Sequence, residues 1–371
     1  MSSDVKRAFG PGSVELATSV HDSEPPARPW HQSVRLALSF RNISAIYIFL
    51  VLFVLFSLWV PETFLQWDTW HSLLATQALV ALVAIGLVPA LAAGVFNLAI
   101  GAQVGFGSIL VAWFLAKQGL GVAPAIALTV VAGTVIGVGS GLVITRFRID
   151  SFIATLGISS VLLAMIQWIA NSQQIVDLGE SFQRIATNEV LGLTLPVWFM
   201  LAVGLLLWYV LERTPLGRRL YATGGNPEAA RLAGVPVPAM VVLSLAICGA
   251  IATAAGILQS AQVGTGDPTV GPGFLLPAFA AAFLGSTQFR GGRYNIWGTV
   301  VAVYVLATGV KGLQLAGAPV WIPDLFNGIA LLIAVGMSRI EATSIRSRAI
   351  SRMIRRPGSG ATTRAEENTS N

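Results

Sequence analysis

Runs of about twenty apolar residues recur along this chain, and no other feature constrains its fold as tightly. The first covers 43–60, where a helix would rise about 27 Å, close to the thickness of a bilayer's hydrocarbon core. Further runs cover 73–93, a stretch ending near 116, then 123–144, 151–170, 194–211, 239–259, 274–285, 296–314 and 325–337. Composition agrees: 54% of the 371 residues are hydrophobic and only 11% are charged, far from a soluble average. The expected fold class is an all-α polytopic membrane protein with about ten transmembrane helices. Its parts are an N-terminal segment 1–42, a transmembrane domain 43–338 and a tail 339–371.

The flanking parts are polar. Segment 1–42 carries Pro25, Pro26 and Pro29, which predicts disorder over most of it, and it is too long and polar for a cleavable signal peptide. The tail is basic at first and polar beyond Pro357, where disorder is again expected. Lys and Arg are distributed unevenly between the loops. Five fall in the N-terminal segment, two at Arg146 and Arg148, four from Arg213 to Arg231, two at Arg290 and Arg293, and seven in the tail. With a cytoplasmic start and ten spans, that puts twenty inside and leaves Lys117, Arg184 and Lys311 outside. Basic residues are retained on the cytoplasmic side, so both termini are expected there. The net charge of +6 follows from this topology and does not point to nucleic acid.

Several chemistries are excluded or disfavoured. No GxxxxGK[ST] phosphate loop occurs, so the chain is not expected to hydrolyse ATP by that route. Every Asp and Glu falls in a loop, a terminus or a span end, which argues against an ion-coupled secondary transporter, whose sites need ionisable groups at membrane depth. His21, His31 and His71 lie outside the spans in no metal-ligand pattern, so neither a metal site nor a membrane enzyme is expected. Cys248 is the sole cysteine and reads as a small packing residue; no intrachain disulfide can form. Trp67 and Trp70 read as an interfacial belt. Gly133, Gly137 and Gly141 recur every four residues, a face that allows another helix to approach closely.

Between two apolar runs, within the loop 212–238, lies a polar island reading GGNPEAARLAGVPVP from Gly224. It specifies a short helix of about two turns. Asn226 can cap its first amides, Pro227 fits the first helical position, and Glu228 and Arg231 complement the helix dipole. Gly234 can close it with positive φ, and Pro236 and Pro238 are expected to stop it. So short a helix is marginal alone, which implies that it docks on something.

The stretch GGNPEAARLAGV resembles the cytoplasmic EAA-type loop of permease subunits of ABC importers, in the ribose and monosaccharide branch. The resemblance runs from about 73 to 337 and is strongest over 220–298. FIATLGISS, starting at Phe152, also resembles that family. GVFNLAIGAQVGFGS, from Gly94, is similar to its Gly-Gly-Ile-Asp-Leu-Ser-Val-Gly signature, with Asn97 in place of the aspartate and Ala99 in place of the serine. That Gly-rich stretch reads either as a broken helix beside the pathway or as a tight turn between two spans.

The resemblance implies a non-enzymatic transport subunit of a bacterial inner membrane, with no cofactor of its own. It implies four partners: a cytoplasmic ATPase that binds the ATP, a second permease copy or homologue, an extracytoplasmic solute-binding protein and a sugar or polyol. Gly225, Asn226, Pro227, Glu228, Ala229, Ala230, Arg231, Leu232 and Gly234 would then form the coupling helix inserted into the ATPase. Loop 171–193 would face the solute-binding protein. Neutral hydroxyls need only donors and acceptors, which makes Asn97, Gln103, Gln167 and Gln259 pathway candidates; each can equally be an interhelical hydrogen-bonding residue. A branched-chain amino acid permease of the same class is the alternative.

Overall fold

The computed structural model describes residues 44–287 and 292–336. The N-terminal segment 1–42, Arg290 and the tail 339–371 lie outside the described residues. Helices occupy the apolar runs: α1 (Ser44–Trp59), α3 (Trp67–Ala92), α4 (Ile100–Ala116), α5 (Val122–Phe147), α6 (Ser151–Ala170), α8 (Leu195–Arg213), α11 (Val237–Val263), α12 (Leu275–Ser286), α13 (Ile296–Leu315) and α14 (Ile322–Gly336). Among the described residues, six are long and apolar enough to cross a membrane: α3, α5, α6, α8, α11 and α13. The chain is a polytopic helical membrane protein.

Shorter elements fill the connections. They are α2 (Pro61–Phe64), α7 (Glu180–Thr187), the two-residue strands β1 (Glu189–Val190) and β2 (Leu193–Thr194), α9 (Pro215–Gly225) and α10 (Pro227–Leu232). The long loop 171–193 is therefore structured. Its strands pair antiparallel, Glu189 with Thr194 and Val190 with Leu193, around a turn in which Leu191 and Gly192 both have positive φ.

Two helices form the centre. The most apolar stretch of α3 is 78% buried and that of α11 is 67%, against 22% for α6 at the periphery. Around α3 packs the main core, which includes Met200 and Leu207 of α8, Ala252 of α11, Phe279 and Phe283 of α12 and Val303 of α13. Helix α5 lies along α11 with almost no space between them. A Cβ at Gly133, Gly137 or Gly141 would overlap Thr253, Leu245 or Val242 of α11, so the glycine face does serve close approach.

Prolines behave differently from expectation. Pro238 does not stop α10; it falls in the first turn of α11, where its missing N–H has no partner to lose. The short run 274–285 is expected to be interrupted by Pro277, yet Pro277 sits in the first turn of α12 and leaves that helix unbroken. Trp67 is exposed, but Trp70 turns inward: it packs on Phe49, Phe53 and Phe64, and its Nε1 donates to the Phe64 carbonyl at 2.8 Å.

Candidate functional site

The Gly-rich stretch after α3 resolves into a short irregular connection. Helix α3 ends at Ala92, Ala93 caps it, and Gly94 follows at φ +78°, a conformation few side chains tolerate. The end is a Schellman motif: Val95 N donates to Ala90 O at 2.9 Å and Gly94 N to Leu91 O at 3.0 Å. Helix α4 starts at Ile100, so Gly101, Gly105 and Gly107 lie within it, and the connection is confined to 93–99. Gly101 and Gly107 let α4 touch the backbone of Gly271 and of Thr253.

Non-helical backbone at this depth must find partners inside the protein. Helix α6 supplies them. Phe96 N donates to Ser151 Oγ at 3.3 Å and Leu98 N to Thr155 Oγ1 at 3.0 Å. Asn97 turns its side chain inward. Its Oδ1 accepts from Ala99 N, and its Nδ2 donates to Gln103 Oε1 and to Cys248 Sγ, all at 3.1 Å. Asn97, Gln103 and Cys248 are fully buried. Gln103 Nε2 has no hydrogen-bond partner among the described residues. Cys248 is thus an acceptor as well as a packing residue.

Of the four pathway candidates, the structure brings Asn97 and Gln103 together and leaves the others apart. Gln167 is exposed near the end of α6, and Gln259 is half-buried near the end of α11.

What 93–99 presents to open space is apolar. Phe96 and Leu98 line a cavity of about 620 Å³ with Phe152, Phe279, Phe283 and Tyr294. The rings form a continuous wall: Phe96 lies 4.6 Å from Phe152 and 6.3 Å from Phe283, and Phe283 lies 5.8 Å from Tyr294. Ser286 and Gly292 also reach it, and no charged side chain lines it among the described residues. Burial pushes the Tyr294 phenol up to about 12, so its hydroxyl stays neutral. Composition alone could not single out these aromatics, because they come from two helices and two connections.

The polar island forms the expected helix with the expected ends. Asn226 Oδ1 accepts from Ala229 N at 3.1 Å, and Pro227 is the first residue of α10. Gly234 has φ +80°, with Val235 N donating to Ala230 O at 2.9 Å and Gly234 N to Arg231 O at 3.0 Å. At six residues α10 is shorter than two full turns. Ala230 is its one buried residue. Gly225, Asn226, Pro227, Glu228, Ala229, Arg231 and Gly234 are exposed, and Leu232 is 91% exposed. Helix α9, immediately before it, shares the proline start, with Thr214 at its cap and Pro215 first, but carries three glycines and no glycine stop of its own.

A family model described as the branched-chain amino acid transport system / permease component matches residues 70–335. The chain belongs to this permease family. Among its relatives is the ribose import permease protein of Bacillus subtilis (strain 168), 33% identical over 272 residues, 72% of this chain and 84% of that one. The ribose import permease protein of Escherichia coli (strain K12) is 30% identical over 291 residues, covering 77% and 90%. The L-arabinose ABC transporter permease protein of Azospirillum brasilense is 31% identical over 288 residues, covering 78% and 84%. No solved structure matches. The permease region spans every helix from α4 to α13, so both the 93–99 connection and α10 lie inside it.

Proposed function

We propose that this permease is the membrane-spanning subunit of an ATP-driven importer of a sugar or related polyol in a bacterial inner membrane. It crosses the membrane ten times, with both termini in the cytoplasm. The uneven partition of Lys and Arg supports that topology, as do the four shorter apolar helices beside the six long ones.

One observation carries the reading: α10 is fully capped at both ends yet lays almost nothing but Ala230 against the rest of the chain. A six-residue helix with an outward leucine is built for a surface outside this chain. On the cytoplasmic side that surface is a separate ATPase subunit. ATP-driven closure of two such subunits would move two permease copies, and a solute-binding protein would deliver cargo to loop 171–193. The chain needs no cofactor or metal of its own for this role.

The relatives' named cargoes favour a sugar over a branched-chain amino acid. So does the aromatic cavity, where no charged side chain among the described residues is placed to pair with a zwitterion. In this scheme Phe96 and Leu98 meet the solute, while Asn97 and Gln103 hold their segment from behind. Gln167 and Gln259 serve the outer end of the route.

Co-purification with the cognate ATPase tests the reading. Ala229→Trp places a bulky ring on the docking face and is expected to abolish both co-purification and uptake while the helices insert normally. Retention of both by this variant would reduce α10 to a linker.

A further inference from the structure

Helix α9 stands between the docking helix and the aromatic cavity, and it touches two separate segments of the cavity wall. We propose that α9 is the lever of this permease, with Tyr221 and Gly224 as its positioning residues; the proposal rests on α10 docking an ATPase.

The two helices are nearly continuous. Only Asn226 separates Gly225 from Pro227. Its N–H donates to Ala222 O at 3.1 Å, back into α9, while its side chain caps α10. A push on α10 is therefore passed to α9. Leu220 roots α9 in a small core with Ala90, Ala93 and Val95, beside the end of α3.

At the end next to α10, α9 meets the 93–99 connection backbone to backbone. A Cβ at Gly224 would overlap the Ala92 carbonyl oxygen, and a Cβ at Gly94 would lie 3.1 Å from Gly224 Cα. Two and four residues beyond Gly94 are Phe96 and Leu98 of the cavity wall.

From the same helix Tyr221 reaches the second segment. Its hydroxyl donates to the Tyr294 carbonyl at 2.6 Å, and the Arg293 guanidinium lies over its ring at 3.7 Å. Tyr294 and Gly292 line the cavity as well. Close-packed backbone does not deform gradually, so a shift of α9 moves both wall segments together. Docking at α10 would in this way open or narrow a cavity that α10 itself never touches.

The test uses the complete permease–ATPase–binding-protein complex in proteoliposomes, with radiolabelled D-ribose, L-arabinose and D-allose as solutes. Tyr221→Phe removes one hydrogen bond and keeps the ring beneath Arg293; Gly224→Ala forces α9 off the Ala92–Gly94 backbone. In both, ATPase co-purification and ATP hydrolysis should persist while solute taken up per ATP hydrolysed falls about fivefold or more. Wild-type uptake per ATP in Tyr221→Phe overturns the proposal, and so does a loss of hydrolysis that matches the loss of uptake. Where Gly224→Ala does not assemble, Tyr221→Phe decides alone. Failure of the unmodified chain to retain any ATPase would instead count against docking at α10, which Ala229→Trp probes independently.

Discussion

Helices α3 and α10 end in the same way and lead to opposite surroundings. Each closes on a glycine near φ +80°, and each repeats the same pair of backbone hydrogen bonds, from Val95 and Gly94 in one and from Val235 and Gly234 in the other. Beyond Gly94 the chain enters the protein, where Ser151, Thr155, Gln103 and Cys248 engage Phe96, Asn97 and Leu98. Around Gly234 there is open space: a Cβ there would meet nothing within 4 Å. Local chemistry stops a helix in either setting. The surroundings of the stop separate a segment held by its own protein from one shaped for another.

That contrast can be broken by substitution. Gly94→Val combines positive-φ strain with a collision against Gly224, and is expected to destabilise the permease by about 3 kcal/mol or more, seen as loss of detergent-stable protein. Asn97→Leu strands Gln103 Oε1 and the Ala99 amide in a dry site, a loss of about 2–3 kcal/mol that should lower the thermal midpoint and uptake together. Leu232→Asp should leave the thermal midpoint in place, because exposed substitutions stay within about 0.5 kcal/mol. Its effect should appear in ATPase affinity, by about 2 kcal/mol if the leucine is an anchor of the docked surface. Glu228→Gln should be mildest, changing α10 by about 0.3–1 kcal/mol through the helix dipole and ATPase affinity by less than tenfold. A thermal midpoint lowered by Leu232→Asp, or left unchanged by Asn97→Leu, would erase the distinction between the two regions.

Hydropathy made the large helices legible because lipid and core both demand long apolar runs. Helix α10 was legible down to its ends, since Asn226, Pro227 and Gly234 each have one strongly preferred place in a helix. Helix α9 was hidden: Gly217, Gly224 and Gly225 are poor helix formers, and it is held by contacts with Leu211 and Ala92 that are distant or featureless in sequence. The hairpin at 189–194 was hidden because Leu191–Gly192 lacks the Asn-Gly signal of such turns. Pro238 misled because a proline that bars the continuation of one helix is also suited to begin the next. At the candidate site, Asn97 stood out as polar in an apolar setting, but its partners did not. Cys248 lies 151 residues away, and a thiol rarely advertises itself as an acceptor.

The seclusion of Cys248 has a practical consequence. The chain's single thiol is fully buried against Asn97, so the natural permease already offers a nearly silent background to thiol-reactive probes. A cysteine introduced at Leu232 would be the one position open to labelling in the folded protein, and its protection when the ATPase is added would map the docked face directly. Reaction at Cys248 itself would report that the 93–99 connection had come apart.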